Sequence, residues 1–201
     1  MKESLIVLFC FGLGVLGGRL DLLPIEYTGL VHDASNIAVY AMLAAVGITL
    51  GFDVRAWHIL RDLKGWVALV PLTVTVGTFV GGVAAWAVLD MSFRDVMAVS
   101  AGFGYYSLSS MLINQLADVS LGSMALVANM ARELVTLLFA PAFARFFGGL
   151  GPLAAAGAAS DTCLPAIIRT SGERNTIIGI FSGMVLTIAV PLFVTAIFAW
   201  L

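Results

Sequence analysis

Five stretches of this chain are each long and apolar enough to cross a lipid bilayer, and that property limits the possible folds more than any motif. A helix needs about 20 mostly apolar residues to span the hydrocarbon core. Residues 4–23, 34–52, 65–89, 120–145 and 175–200 meet that requirement. Lipid offers backbone groups no hydrogen bonds, so a spanning segment must satisfy its own, and runs of this length do so as helices. The expected fold class is an all-α integral membrane protein, one transmembrane domain over 1–201 with about five transmembrane helices.

Two further apolar stretches are of a different kind. Residues 96–117 hold Ser100, Gly102, Gly104, Ser107, Ser109, Ser110, Asn114 and Gln115. Residues 149–168 hold Gly149, Gly151, Pro152, Gly157, Ser160, Asp161, Thr162 and Pro165. Glycine and proline interrupt helices through backbone freedom and a missing N–H. Irregular backbone at membrane depth survives only where protein or water covers it. Both stretches are therefore expected as re-entrant or broken-helix segments, the alternative being a tilted, kinked span.

Charge placement bears on this layout. Arg55, Arg61 and Lys64 cluster between the second and third spans, and the positive-inside rule puts that loop in the cytoplasm. The N-terminus is then cytoplasmic and the C-terminus external. With 96–117 re-entrant from outside, Arg145, Arg169 and Arg174 also fall inside. The apolar run after Lys2 resembles a signal peptide, but it continues to Leu23 without a small-residue cleavage site, so a retained first helix is expected. The expected location is a prokaryotic cytoplasmic (inner) membrane.

Composition excludes several function classes. Hydrophobic residues make up 61% of the chain and charged ones 11%, with a formal net charge of −2, whereas soluble domains carry about 25% charged residues. No basic stretch interleaved with aromatics is present, so nucleic acid is not an expected partner. Cys10 and Cys163 lie in apolar context as free thiols, His32 and His58 fall in loops, and neither a metal nor a cofactor is expected. There is no His-Glu-x-x-His, Gly-x-Ser-x-Gly or P-loop pattern, so the chain does not read as an enzyme.

The polar residues inside the spans are the candidates for function. Glu133 lies 13 positions after Ser120, or about 20 Å along a helix, which is deep in the hydrocarbon layer. Asn129, Arg132 and Glu133 stand at i, i+3 and i+4 and share one broad face. Intramembrane charges are costly and mark substrate or ion pathways. Arg132 and Glu133 are adjacent, so a simple mutual pair is disfavoured. Asp161 and Thr162 sit in the Gly/Pro-rich stretch, where a carboxylate can bind a cation or cap a short helix. Tyr106, Ser107, Ser109 and Asn114 are the polar candidates of the other broken stretch, although Tyr105 and Tyr106 read equally well as interfacial anchors. The expected substrate- or proton-binding set is thus Glu133, Asp161, Asn129, Arg132, Ser107, Ser109, Tyr106, Thr162 and Asn114.

The run Ser100-Ala-Gly-Phe-Gly-Tyr-Tyr-Ser-Leu-Ser resembles the Gly-Phe-Gly-Trp-Tyr-Ser-Leu-Ser signature of the LysO family of bacterial lysine exporters. Asn129-Met-Ala-Arg-Glu-Leu is similar to that family's Asn-x-x-Arg-Glu stretch. Asp161-Thr-Cys-Leu-Pro followed by Ile168-Arg-Thr-Ser-Gly is similar to its Asp-x-x-Leu-Pro segment and the turn after it, and Val46-Gly-Ile-Thr-Leu to the end of an earlier helix. The chain departs from the family at Ala158-Ala159-Ser160-Asp161, where Thr-Ser-Met-Asp is usual. The resemblance implies export of L-lysine, and of lysine analogues; Glu133 and Asp161, carboxylates for which substrate and proton can compete, add the expectation of cation- or proton-coupled antiport. It also implies about three further helices ahead of the matched region. These would come from a small membrane-protein subunit, or their surfaces would be covered by a homo-oligomer. The residues alone leave open a transporter of another cationic metabolite or inorganic cation, and a non-transporting membrane scaffold.

Overall fold

The computed structural model describes residues 65–160, 163, 170, 171 and 173–200, together with isolated positions between 9 and 48. The chain forms two compact units, Met1–Met42 and Leu43–Leu201. In the first unit the described positions between 9 and 37 are helical. They fall within the expected spans 4–23 and 34–52, whose remaining residues, like loop 53–64, lie mostly outside the described set.

In the second unit the described residues are helices and turns. A 3-10 turn at Gly65–Ala68 leads into α1 (Leu69–Trp86). Then follow α2 (Phe93–Ser100), α3 (Tyr106–Leu116), α4 (Val119–Phe147), α5 (Gly151–Ala156), a 3-10 turn at Gly157–Ser160, and α6 (Glu173–Trp200). Among the described residues three helical stretches are long and apolar enough to cross a membrane: Leu69–Trp86, Val119–Phe147 and Ile178–Trp200. They correspond to three of the five expected spans. Their outward residues suit lipid, with Val80 63%, Leu138 73% and Leu192 65% exposed. The helix starts have local causes. Ser92 and Asp118 cap α2 and α4 by accepting from the N–H groups of Asp95 and Leu121.

Both glycine-rich stretches are broken: α2, the turn at 101–105 and α3 form a first hairpin, while α5 and the 3-10 turn at Gly157–Ser160 are the described arm of a second, which starts from the other end of this bundle. α6 runs alongside α1, with Ile178 and Phe181 packing on Val67 and Val70, and Phe193 on Phe79. α4 runs against them, since its C-terminal end leads to Gly149, which lies beside Asn175 near the start of α6. The first hairpin starts where Trp86 stacks on Phe93 and where Arg94 lies over Phe198 of α6. It turns at 101–105 and returns through α3 to the N-terminal end of α4, where Asn114 faces Gly122. The described arm of the second starts at Gly149, which lies beside the Ser171 carbonyl.

The tips of the hairpins meet through their backbones. The Ala158 N–H donates to the Phe103 carbonyl at 2.9 Å. Phe103 itself has φ 49°, a left-handed conformation that costs a bulky residue energy. Its side chain is fully buried, and it packs edge-on against Phe79 and Phe193 with centroids 5.7 Å from each. That burial offsets the backbone strain. Gly104 (φ 100°) and Gly157 (φ 62°) complete the crossing. A Cβ on Gly104 would stand 2.8 Å from the Ala156 carbonyl oxygen, so the two chains pass too closely for any side chain there.

Candidate substrate site

The candidate residues on α4 lie where the hairpin tips cross. Near mid-helix, Asn129 and Arg132 each hold one hairpin. The Asn129 Oδ1 accepts from the Gly104 N–H at 2.8 Å. Its Nδ2 donates to the carbonyls of Val99 and Ala125 at 3.1 and 2.9 Å. Gly102 has no side chain because the Asn129 carboxamide fills that space. Arg132 reaches the other hairpin. Its Nε donates to the Ala155 carbonyl at 2.8 Å and one Nη to the Ala154 carbonyl at 3.1 Å. The other Nη donates to the Thr78 hydroxyl of α1 at 3.2 Å. These bonds satisfy carbonyls at the broken end of α5, which a helix interruption would otherwise leave open.

Glu133 lies one residue beyond Arg132 and one turn beyond Asn129. It is 1% exposed, the only acidic side chain buried among the described residues. It stands about 20 Å from either end of the 29-residue helix α4. Thr136, also buried, turns its hydroxyl back to the Arg132 carbonyl at 2.9 Å.

The other expected residues divide. Tyr106 and Ser107 open α3, directly after the tip at Phe103–Gly104, and are half-buried. Ser109 is fully buried, and its hydroxyl bonds the Tyr106 carbonyl of its own helix at 3.4 Å. Asn114 is exposed and faces Gly122, about 16 Å along α4 from Glu133, so it is not drawn into this cluster. Asp161 and Thr162 lie outside the described residues. Ser160 just before them is fully buried and donates to the Gly157 carbonyl at 2.6 Å. Among the described residues no group of three or more His, Cys, Asp or Glu could hold a metal ion.

Sequence reasoning missed Thr78. In the sequence it looks like Thr73 and Thr75, whose hydroxyls bond carbonyls of their own helix at 2.8 Å. Nothing local marks it as the partner of an arginine 54 positions later. Thr78 and Arg132 line an open cavity of about 460 Å³ between α1, α2, α4 and α5, with Gly77, Gly81, Ser100 and Asn129 on its other walls.

Comparison with known proteins bears out the family resemblance. The Escherichia coli (strain K12) protein named lysine exporter LysO is 29% identical over 187 residues, covering 91% of this chain and 61% of its own length. The Haemophilus influenzae protein named "Putative lysine exporter" is 32% identical over 118 residues, covering 59% of this chain and 60% of its own length. The chain thus spans about three fifths of the length of these curated relatives. No solved structure matches. The family described as lysine exporter LysO matches residues 8–198, nearly the whole sequence, and the chain belongs to that family.

Proposed function

We propose that this chain forms the substrate-translocating part of an exporter of L-lysine, with Glu133 and Asp161 as the groups that take the substrate's ammonium or a proton in its place. The observation that carries this reading is Glu133, a carboxylate buried at the centre of a membrane-length helix, beside the crossing of two broken hairpins. Acidic groups at such depth cost about 2.5–3.5 kcal/mol and mark ion or substrate routes. Broken segments that meet from opposite faces create a midplane site of the kind transporters use. Asn129 and Arg132 hold the hairpins that frame the site, and Tyr106, Ser107, Ser109 and Thr162 contribute polar lining, while Asn114 lies outside it. Lysine and protons competing for the same carboxylates give antiport. The named exporters among the relatives supply the substrate class.

In this reading the protein lies in the cytoplasmic membrane, with Arg145 on the cytoplasmic side. It works with a small membrane-protein subunit of about three helices, or as a homo-oligomer. Lysine flux in proteoliposomes tests the proposal. Glu133→Gln and Asp161→Asn keep side-chain shape and remove the titratable charge. Both variants are expected to insert normally and to lose transport. Normal export by both would sink the acidic-site reading, and flux by a purified monomer of this chain would remove the need for a partner.

A further inference from the structure

The cavity at Arg132 has a chemistry opposite to that of Glu133. A guanidinium carries five N–H donors and no acceptor. Three of the five are engaged, by the carbonyls of Ala154 and Ala155 and by the Thr78 hydroxyl. One N–H on each Nη is left over, a pair that a single carboxylate can bridge. The Thr78 oxygen accepts from Arg132, so its own O–H is still available as a donor. Ser100, across the cavity, brings a second hydroxyl with no hydrogen bond among the described residues. Asn129 adds no acceptor here, because its Oδ1 and Nδ2 are both committed to backbone groups. No carboxylate lies within ion-pair distance of Arg132 among the described residues; the ion pair described there joins Arg94 to Asp95. The cavity is therefore rich in donors and positively charged, and it lies at the middle of a membrane-length helix. A lone cation is poorly tolerated at that depth, whereas an arriving anion is bound strongly there.

We infer that this cavity is the receptor for the substrate's α-carboxylate, with Arg132, Thr78 and Ser100 as its donors. The inference rests on the lysine-export reading and deepens it. Glu133 follows Arg132 on the helix and so points about 100° away around the axis. The two ends of a zwitterionic amino acid are thus recognised on separate faces of α4, the ammonium at the acidic face and the carboxylate in the cavity. A diamine of the same length fits only the acidic face. The site thereby selects an amino acid over its decarboxylated product.

The test uses the assembly in which the full chain is isolated, reconstituted in proteoliposomes. Counterflow of labelled lysine is measured against unlabelled lysine and against 1,5-diaminopentane, which is lysine without its carboxylate. The diamine is expected to compete at least tenfold more weakly, since a site built to bond a group rejects analogues that lack it. Replacing Arg132 would also release the carbonyls it braces, so the cavity is altered from α1 instead. A Cβ on Gly81 meets nothing within 4 Å, so Gly81→Leu adds bulk to the cavity from α1. Both Gly81→Leu and Thr78→Val are expected to raise the KM for lysine and to narrow the gap between lysine and the diamine. Equal competition by the diamine in the wild type, or an unchanged KM in Gly81→Leu, would overturn the carboxylate assignment while leaving lysine export standing. Absence of lysine counterflow in the wild type would overturn both.

Discussion

Replacing Gly157 with alanine should be among the most damaging single-methyl changes in this protein, and its cost can be divided into two parts. The first is conformational. Gly157 has φ 62° and ψ −125°, a region open almost only to glycine, and forcing alanine into it costs about 1–3 kcal/mol. The second is steric. The new Cβ would run into the Phe103 carbonyl oxygen and stand 3.0 Å from an Arg132 Nη and 3.2 Å from its Cζ. Relieving that overlap means parting the hairpin tips, which breaks the bond from the Ala158 N–H to the same carbonyl. A buried donor and a buried acceptor then lose their partners, at about 1–3 kcal/mol each. Gly148 isolates the first part. It has φ 75° and ψ −178°, also glycine territory, but a Cβ there meets nothing within 4 Å. Gly157→Ala should therefore exceed Gly148→Ala by at least about 2 kcal/mol, a roughly 30-fold difference in the unfolding equilibrium. Unfolding of the detergent-solubilised protein by graded addition of SDS would measure both variants. Equal losses would mean that the hairpin tips do not bear on one another, and the crossing described above would be wrong.

Other outcomes follow from the same contacts. Gly122→Ala should destabilise by about 1–3 kcal/mol in the same titration, because its Cβ would press on the Ser110 carbonyl and the Asn114 Cβ, both at 2.8 Å. Gly77→Ala meets open space on a helix and should be neutral or stabilising, by up to about 1 kcal/mol. Asn129→Leu keeps the volume but removes the acceptor for the buried Gly104 N–H, and should cost about 1–3 kcal/mol; no loss would show that this bond is not made. A cysteine placed at Arg145 should react with impermeant thiol reagents from the cytoplasmic side only, and labelling from outside would reject the proposed orientation.

The sequence carries the long helices openly, because span length is a local property: α1, α4 and α6 begin and end within a few residues of the expected 65–89, 120–145 and 175–200. The interruptions are legible for the same reason, since Gly104 and Gly157 mark the places where a helix cannot continue without a special backbone. What the side chains do there is not local. The spacing of Asn129, Arg132 and Glu133 predicts a shared polar face, but it says nothing of what each residue on that face meets. In the fold, Asn129 and Arg132 turn to the backbones of two different hairpins, while Glu133 remains buried beside them. Thr78 carries no signal at all until three dimensions bring it to one cavity with Ser100.

The pairing of Asn129 with the first hairpin and Arg132 with the second, one helical turn apart on α4, decides where this molecule can divide into moving parts. A displacement that pulled either hairpin tip away from α4 would strand the Gly104 N–H, or the carbonyls of Ala154 and Ala155, in a medium that offers nothing in exchange. The two tips and the middle of α4 are therefore one mechanical piece. In the transport proposed above, access from one side of the membrane or the other would change by that piece shifting against its surroundings, with the seam of motion around the crossing rather than through it.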